Sequence, residues 1–251
     1  MVETVLTSIR HVGKVAVLTG DTVRFTFRRP FGFDLLMGQL HHLGVRSLSI
    51  TNITALFTGM VLALQTAHTL GIYGAKLLIG DAVSISIVRE LGPVLTSLLV
   101  AGRVGSGITA EIGSMAVTEQ VDAIRALGAS PIKKLVVPKV LATLIMLPIL
   151  TILADFVGIM GGLLISMKDL GQTSSYYLQH VVKALTFDDI FSGVGKTFFF
   201  ALFIAIIGCY NGLNATGGAD GVGRATTATV VVASIMILIS DFFLTKLFLL
   251  L

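Results

Sequence analysis

The sequence predicts an all-α integral membrane protein built around about five transmembrane helices. Three observations lead there. Of the 251 residues, 54% are hydrophobic and 13% are charged, against roughly 25% charged in a typical soluble domain. The mean hydropathy is +0.92. The apolar residues also fall into five separate runs, each near the roughly 20 residues needed to cross the hydrocarbon. A soluble fold could not cover its surface with so few charges, whereas lipid tails solvate the surplus apolar surface.

Residues 1–46 carry Arg10, Lys14, Arg24, Arg28, Arg29 and Arg46 with no long apolar run between them. That pattern is not a cleavable signal peptide. Apolar and basic residues alternate, as in Val23-Arg24-Phe25-Thr26-Phe27-Arg28-Arg29, so the segment reads as an amphipathic stretch on the inner membrane surface. A partly disordered basic leader is the alternative. Residues 47–251 form one transmembrane domain. The first span is Leu48–Ile72 and the second Val83–Ile108, the latter interrupted by Arg89, Glu90 and Arg103. The third, Leu135–Met167, is long enough to tilt. The fourth is Val194–Leu213 and the fifth Ala228–Leu251.

Lys and Arg in the loops set the orientation. The leading segment and the stretch from Arg103 through Arg125, Lys133, Lys134 and Lys139 are basic, while the loop after the first span has only Lys76. The N-terminus and residues 109–134 therefore face the cytoplasm, and five crossings leave the C-terminus periplasmic. The loop at 168–193 falls outside.

The cytoplasmic segment between the second and third spans predicts a short helix over 118–128. Thr118 is its expected N-cap, with Glu119, Gln120 and Asp122 in its first turn and Gly128 at its end. Val121, Ile124 and Leu127 make an apolar stripe, with Asp122 and Arg125 between them. Such a helix can dock into a groove on another protein or lie on the membrane.

Charges at membrane depth need a partner, a cavity or a route to the interface. Arg89-Glu90 precedes Leu91-Gly92-Pro93-Val94, and Pro93 removes a backbone donor and can kink the helix. A charged pair beside a kink points to a polar lining of an internal cavity, or else to an interfacial salt bridge. Asp155, Asp241 and Lys246 pose the same question, with Asp155 set to face the bundle and Lys246 able to snorkel outward. Gly158 and Gly162 have the spacing that lets helices approach closely in lipid.

Other classes are excluded. The net charge of +4 is spread over span ends rather than gathered in an aromatic-lined stripe, so no nucleic acid is expected. Cys209 is the one cysteine, which rules out an internal disulfide and a cysteine metal cluster. The five histidines show no metal spacing. Gly195-Lys196-Thr197 imitates the end of a phosphate loop without its first glycine or its strand-to-helix setting. No nucleophile–base pair is readable, so the chain is not expected to be an enzyme.

Longer strings carry a resemblance. Glu90-Leu-Gly-Pro-Val-Leu95, Ala101-Gly-Arg-Val-Gly-Ser-Gly107, Ala110-Glu-Ile-Gly113, Glu119-Gln-Val-Asp-Ala-Ile-Arg-Ala-Leu-Gly128, Val136-Val-Pro-Lys-Val-Leu-Ala142 and Asn214-Ala-Thr-Gly-Gly-Ala-Asp-Gly-Val-Gly-Arg-Ala-Thr-Thr227 resemble the MlaE/YrbE family of ABC-transporter permeases. Leu213 and Ala228 depart from its pattern. The resemblance implies a subunit that moves phospholipids or related lipids between a bacterial inner membrane and the outer envelope. It implies a homodimer of permeases, two cytoplasmic ATPase subunits holding the ATP and magnesium, a ring of MCE-domain proteins outside and a STAS-domain subunit on the ATPase. No cofactor is expected on this chain. Residues 118–128 then form the coupling helix, and Leu62, Gln65, Arg89, Glu90, Leu91, Pro93 and Val94 lie at the lipid cavity. Another hydrophobic cargo such as a sterol, or an ion-coupled secondary transporter relying on Asp155, are the competing expectations.

Overall fold

Long apolar runs satisfy their backbone groups internally only by coiling, and the computed structural model, which describes residues 2–27 and 33–250, is helical almost throughout. Arg28 and Arg29 of the basic leader, and Leu251 at the end of the fifth predicted span, lie outside the described residues. Among those described, the chain runs through α1 (Val2–Thr26), α2 (Phe33–Ile72), α3 (Lys76–Val117), α4 (Gln120–Ala126), α5 (Ile132–Lys168), α6 (Ser174–Ala184), α7 (Phe187–Leu213) and α8 (Gly218–Leu250). Five of these, α2, α3, α5, α7 and α8, are long and apolar enough to cross a membrane, the number the sequence predicts.

The spans begin and end beyond the sequence expectation: the second runs Lys76–Val117 where Val83–Ile108 is expected, the third opens at Ile132 where Leu135 is expected, and the fifth at Gly218 where Ala228 is expected, because polar and glycine residues at their ends lower the hydropathy without stopping the coil. The first span reaches back to Phe33, through a π-turn at Leu40–Gly44 and a 3-10 turn at Val45–Ser47. His41, His42 and Arg46 depress the hydropathy of this stretch without stopping the coil. The fourth span opens at Phe187 rather than Val194, because Thr186 and Asp189 close a capping box. The Asp189 carboxylate accepts from the Thr186 amide at 2.9 Å, and the Asp189 amide donates to the Thr186 hydroxyl at 3.3 Å. The predicted outer loop at 168–193 contains α6, whose polar exposed side hid it from a search for apolar runs. Its buried Tyr177 and Val181 lie one turn apart.

The helices contribute to two compact units, the described residues of Met1–Val45, Val100–Ile145 and Ala201–Met236 in one, and Arg46–Leu99, Met146–Phe200 and Ile237–Leu251 in the other. In the first, buried Thr109 donates to the Gly208 carbonyl at 3.0 Å and lies 2.8 Å from the Thr229 hydroxyl, linking α3, α7 and α8. Lys139 of α5 is buried and ion-paired with Glu111 of α3 at 2.6 Å, and it also donates to Gln39 of α2 at 3.3 Å. In the second unit, Ala63, Ala67, Ile79, Val83, Ile87, Ile159, Tyr177 and Val181 pack one apolar core. Here α2 and α5 meet backbone to backbone. A Cβ on Gly59 would overlap the Gly158 carbonyl, and one on Gly161 would overlap that of Leu56. Gly162 faces the Tyr177 hydroxyl instead, so the close approach runs along Gly158 and Gly161. Tyr177 is held by the Ile159 carbonyl at 3.4 Å, and burial pushes its hydroxyl above the usual phenol range. Asp81 and His180, 2.8 Å apart, fasten α6 to the start of α3.

Candidate functional site

The site grows from a defect in α3. Residues Ile87–Leu91 form a π-turn, and the Gly92 amide donates to the Ile87 carbonyl instead of to Val88. The next residue, Pro93, has no amide to give to Arg89. The carbonyls of Val88 and Arg89 are thereby deprived of their helical donors, and at membrane depth such a loss costs several kcal/mol (roughly) unless a neighbour compensates. The neighbour is α7. The Cα of Gly193 lies against the Val88 carbonyl so closely that a Cβ there would overlap it. One helical turn on, the Lys196 ammonium donates to the Arg89 carbonyl at 3.1 Å.

That ammonium is completely buried. It also pairs with Glu90 at 2.7 Å and Asp241 at 3.1 Å, and donates to the Thr245 hydroxyl at 2.6 Å. Thr245 in turn donates to the Glu90 carboxylate at 3.2 Å. A lysine in hydrocarbon is tolerated only with partners of this kind. Arg89 and Glu90 do not pair with each other. Arg89 reaches Asp189 at 3.3 Å, the same carboxylate that caps α7, so the charges of α3 are tied to the first turns of α7. In the sequence, Lys196 stands out only as part of a phosphate-loop imitation, with no role of its own. The available signal is a lysine nine residues into an apolar helix, with no acid within one turn of it in sequence.

Two clefts open beside this cluster. One, of about 510 Å³, is lined by Leu62 and Gln65 of α2, by Leu91 of α3, and by Ile53, Phe57 and Val61. The other, of about 390 Å³, is lined by Glu90 together with Leu238, Asp241, Phe242, Thr245 and Lys246 of α8. Of the residues the resemblance assigns to a lipid cavity, the structure thus brings Leu62, Gln65 and Leu91 to one cleft and Glu90 to the other. Arg89 is engaged with Asp189. Pro93 is buried with its ring toward Gly193, and Val94 is half-buried. Lys246 is exposed, and Asp155 is 7% exposed. Among the described residues the Asp155 Oδ1 has no hydrogen-bond partner. This carboxylate occupies the space a side chain on Gly92 would need, which is why the turn before Pro93 carries a glycine.

The helix expected over 118–128 is shorter than predicted and differently started. Thr118 does not cap α4. It ends α3, and its hydroxyl is spent on the Ser114 carbonyl at 2.7 Å. The chain instead turns at Glu119, whose φ of 61° is the one positive value among described non-glycine residues. Gln120 reaches back to the Thr118 hydroxyl at 3.0 Å. The other end closes as a Schellman motif. Gly128, at φ 75°, donates to the Arg125 carbonyl at 2.9 Å, and Ala129 donates to that of Ile124 at 3.1 Å. Val121 is 3% exposed and Leu127 85%. Val121 therefore anchors α4, Ile124 is half-buried, and Leu127 stands free beside the exposed Asp122–Arg125 pair of 2.7 Å.

Residues 36–247 match the family model described as Permease MlaE. Among curated proteins the chain is similar to a probable ABC transporter permease of Synechocystis, 48% identical over 90% of this chain and 86% of the relative. A probable ABC transporter permease of Rickettsia bellii is 44% identical over 95% and 92%. The intermembrane phospholipid transport system permease protein of Haemophilus influenzae is 40% identical over 85% and 82%.

Proposed function

The chain belongs to the MlaE permease family, and from that premise we propose that it is the membrane subunit of an ATP-driven transporter moving phospholipids between the bacterial inner membrane and the outer envelope. The chain works as a homodimer, with its N-terminus cytoplasmic and its C-terminus periplasmic. It binds no cofactor and catalyses no reaction. ATP and magnesium sit on separate ATPase subunits, with an MCE-domain ring on the outer face and a STAS-domain subunit on the ATPase. The phospholipid assignment is supported by the Haemophilus relative, which is named for that transport.

The observation that carries the reading is α4. It is clamped by an αL turn at Glu119 and a Schellman close at Gly128, rooted by Val121, and presents Leu127, Asp122 and Arg125 outward. A rigid, exposed foot of this kind transmits a push, whereas a loop would absorb it. α4 follows directly on α3, the helix that carries Glu90 and Leu91 to the clefts. Closure of the ATPase pair moves α4 and, through α3, alters the clefts that hold lipid. Charge reversal at Glu119 and Asp122 tests this. The expected result is loss of ATPase co-purification, or ATP hydrolysis without lipid transfer between vesicles. Normal pull-down and coupled transfer in both variants would overturn the docking role.

A second reading, an ion-coupled transporter, is favoured by the buried carboxylate of Asp155. It requires gradient-driven lipid movement in vesicles holding this chain without an ATPase, abolished by Asp155→Asn.

A further inference from the structure

Asp155 is the one charged residue of α5 between Lys139 and Lys168. It is 7% exposed, and among the described residues its Oδ1 has no hydrogen-bond partner. The helices packed there bring it no cation. α3 lays Gly92 against it. The flanking charges of α3 are engaged elsewhere, Arg89 with Asp189 and Glu90 with Lys196, and Arg103 stands eleven residues beyond Gly92. α2 lays Ala55 against Gly158, one turn along α5. From Leu48 to Ile72 its one titratable residue is His68, exposed and thirteen residues beyond Ala55.

Ionisation is expensive in such a place. A carboxylate at membrane depth needs a counter-charge or donors, and this one has neither at Oδ1. A protonated acid needs only one acceptor. The Ile87 carbonyl supplies it. The position that a Gly92 Cβ would take is 3.0 Å from that carbonyl oxygen and overlaps the Asp155 carboxylate, so the two groups flank the same glycine. The carbonyl already accepts from the Gly92 amide across the π-turn and keeps a second lone pair. Gly92 and Ala154 also line a small cavity of about 20 Å³ together with Leu91, Thr54 and Thr58, room for one water. Leu91, Thr54 and Thr58 belong to the wall of the 510 Å³ cleft as well.

We propose that Asp155 is a proton-binding site that controls the wall of that cleft. Its proton is shared with the Ile87 carbonyl and fastens α5 to the π-turn of α3. Loss of the proton to water leaves a bare carboxylate, which repels the carbonyl and draws water into the small cavity. α3 then shifts at its kink, and Leu91 moves with it. The proton stays on its own side of the membrane, so the inference goes beyond both transport readings, though its link to lipid rests on the cleft being the lipid site.

Full-length protein in phosphatidylcholine vesicles is read by infrared absorption, where a protonated carboxylic acid has a C=O stretch that ionised carboxylates lack. The expected result at neutral pH is such a band, removed by Asp155→Asn and shifted by Asp155→Glu, which keeps the acid and serves should the amide variant fail to fold. The chain contains no tryptophan, so Phe57→Trp, on the cleft wall, reports alone on its surroundings. Its emission should move to the red as rising pH abolishes the band, and stay constant over the same range with Asp155→Asn. A wild-type spectrum without the band, or a band unmoved by both substitutions, overturns the proton site. Emission that follows pH equally with and without Asp155, or that ignores loss of the band, overturns its control of the cleft. No outcome depends on an ATPase, so the transport reading stands or falls separately.

Discussion

Replacing Lys196 by methionine keeps a long unbranched side chain in place and deletes the ammonium lying within 3.1 Å of Glu90, Asp241, Thr245 and the Arg89 carbonyl. Removing one partner of a buried ion pair costs about 3–5 kcal/mol, because the remaining charge stays desolvated. Glu90 and Asp241 retain 39% and 20% side-chain exposure, so water relieves part of that loss and the expected cost is about 3 kcal/mol. For a chain of this size that corresponds to a fall of about 6–12 °C in melting temperature. The measurement is thermal unfolding of purified protein in detergent, followed by circular dichroism. A second arm isolates the cause. Lys196→Met combined with Glu90→Gln and Asp241→Asn carries no unpaired charge, and it should recover at least half of the loss. A fall of less than about 2 °C for Lys196→Met, or a triple variant worse than the single one, would refute the claim that this ammonium holds α3, α7 and α8 together.

Three further outcomes are expected. Gly92→Ala drives a methyl group into the Asp155 carboxylate and should cost about 1–3 kcal/mol; adding Asp155→Ala should give back part of it, a coupling readable in a double-mutant cycle of melting temperatures. Thr186→Ala opens the capping box of α7 and should lower stability by about 1 kcal/mol, seen as faster hydrogen exchange at the amides of the first turn. Glu119→Gly relieves the left-handed turn and should stabilise by about 1 kcal/mol, whereas Thr118→Ala should leave α4 intact; an unfolded α4 in the Thr118 variant, detected by proteolysis between α3 and α5, would contradict the cap assignment.

The family resemblance and the spans were legible because both are carried by residues near one another in sequence. Strings such as Glu90–Leu95 and Glu119–Gly128 stand intact in the chain, and a run such as Phe198–Ile207 needs no partner to announce itself. Edges were less legible. Phe33–Ser47 is helical despite His41, His42 and Arg46, and Phe187 starts α7 through a polar box that a search for apolar residues passes over. Thr118 misled because a threonine followed by acids has the right composition for a cap, while the choice between ending one helix and starting the next is made by backbone torsion at Glu119. The candidate clefts were half legible. Leu62, Gln65, Leu91 and Glu90 line them, but the turn of Arg89 toward Asp189, 100 positions along the chain, is visible only once α3 and α7 are packed.

By itself the sequence determined that this chain lives in a membrane, how many times it crosses, and where a short amphipathic foot interrupts the crossings. Those are one-body properties, summed from each residue's transfer free energy and its neighbours within a turn or two. Only the tertiary structure decided which charges share a site. Lys196 meets Glu90 across 106 residues of chain and Asp241 across 45 more. They meet where Pro93 leaves the Arg89 carbonyl in α3 without its helical donor, and α7, packed close there at Gly193, brings Lys196 to donate to it.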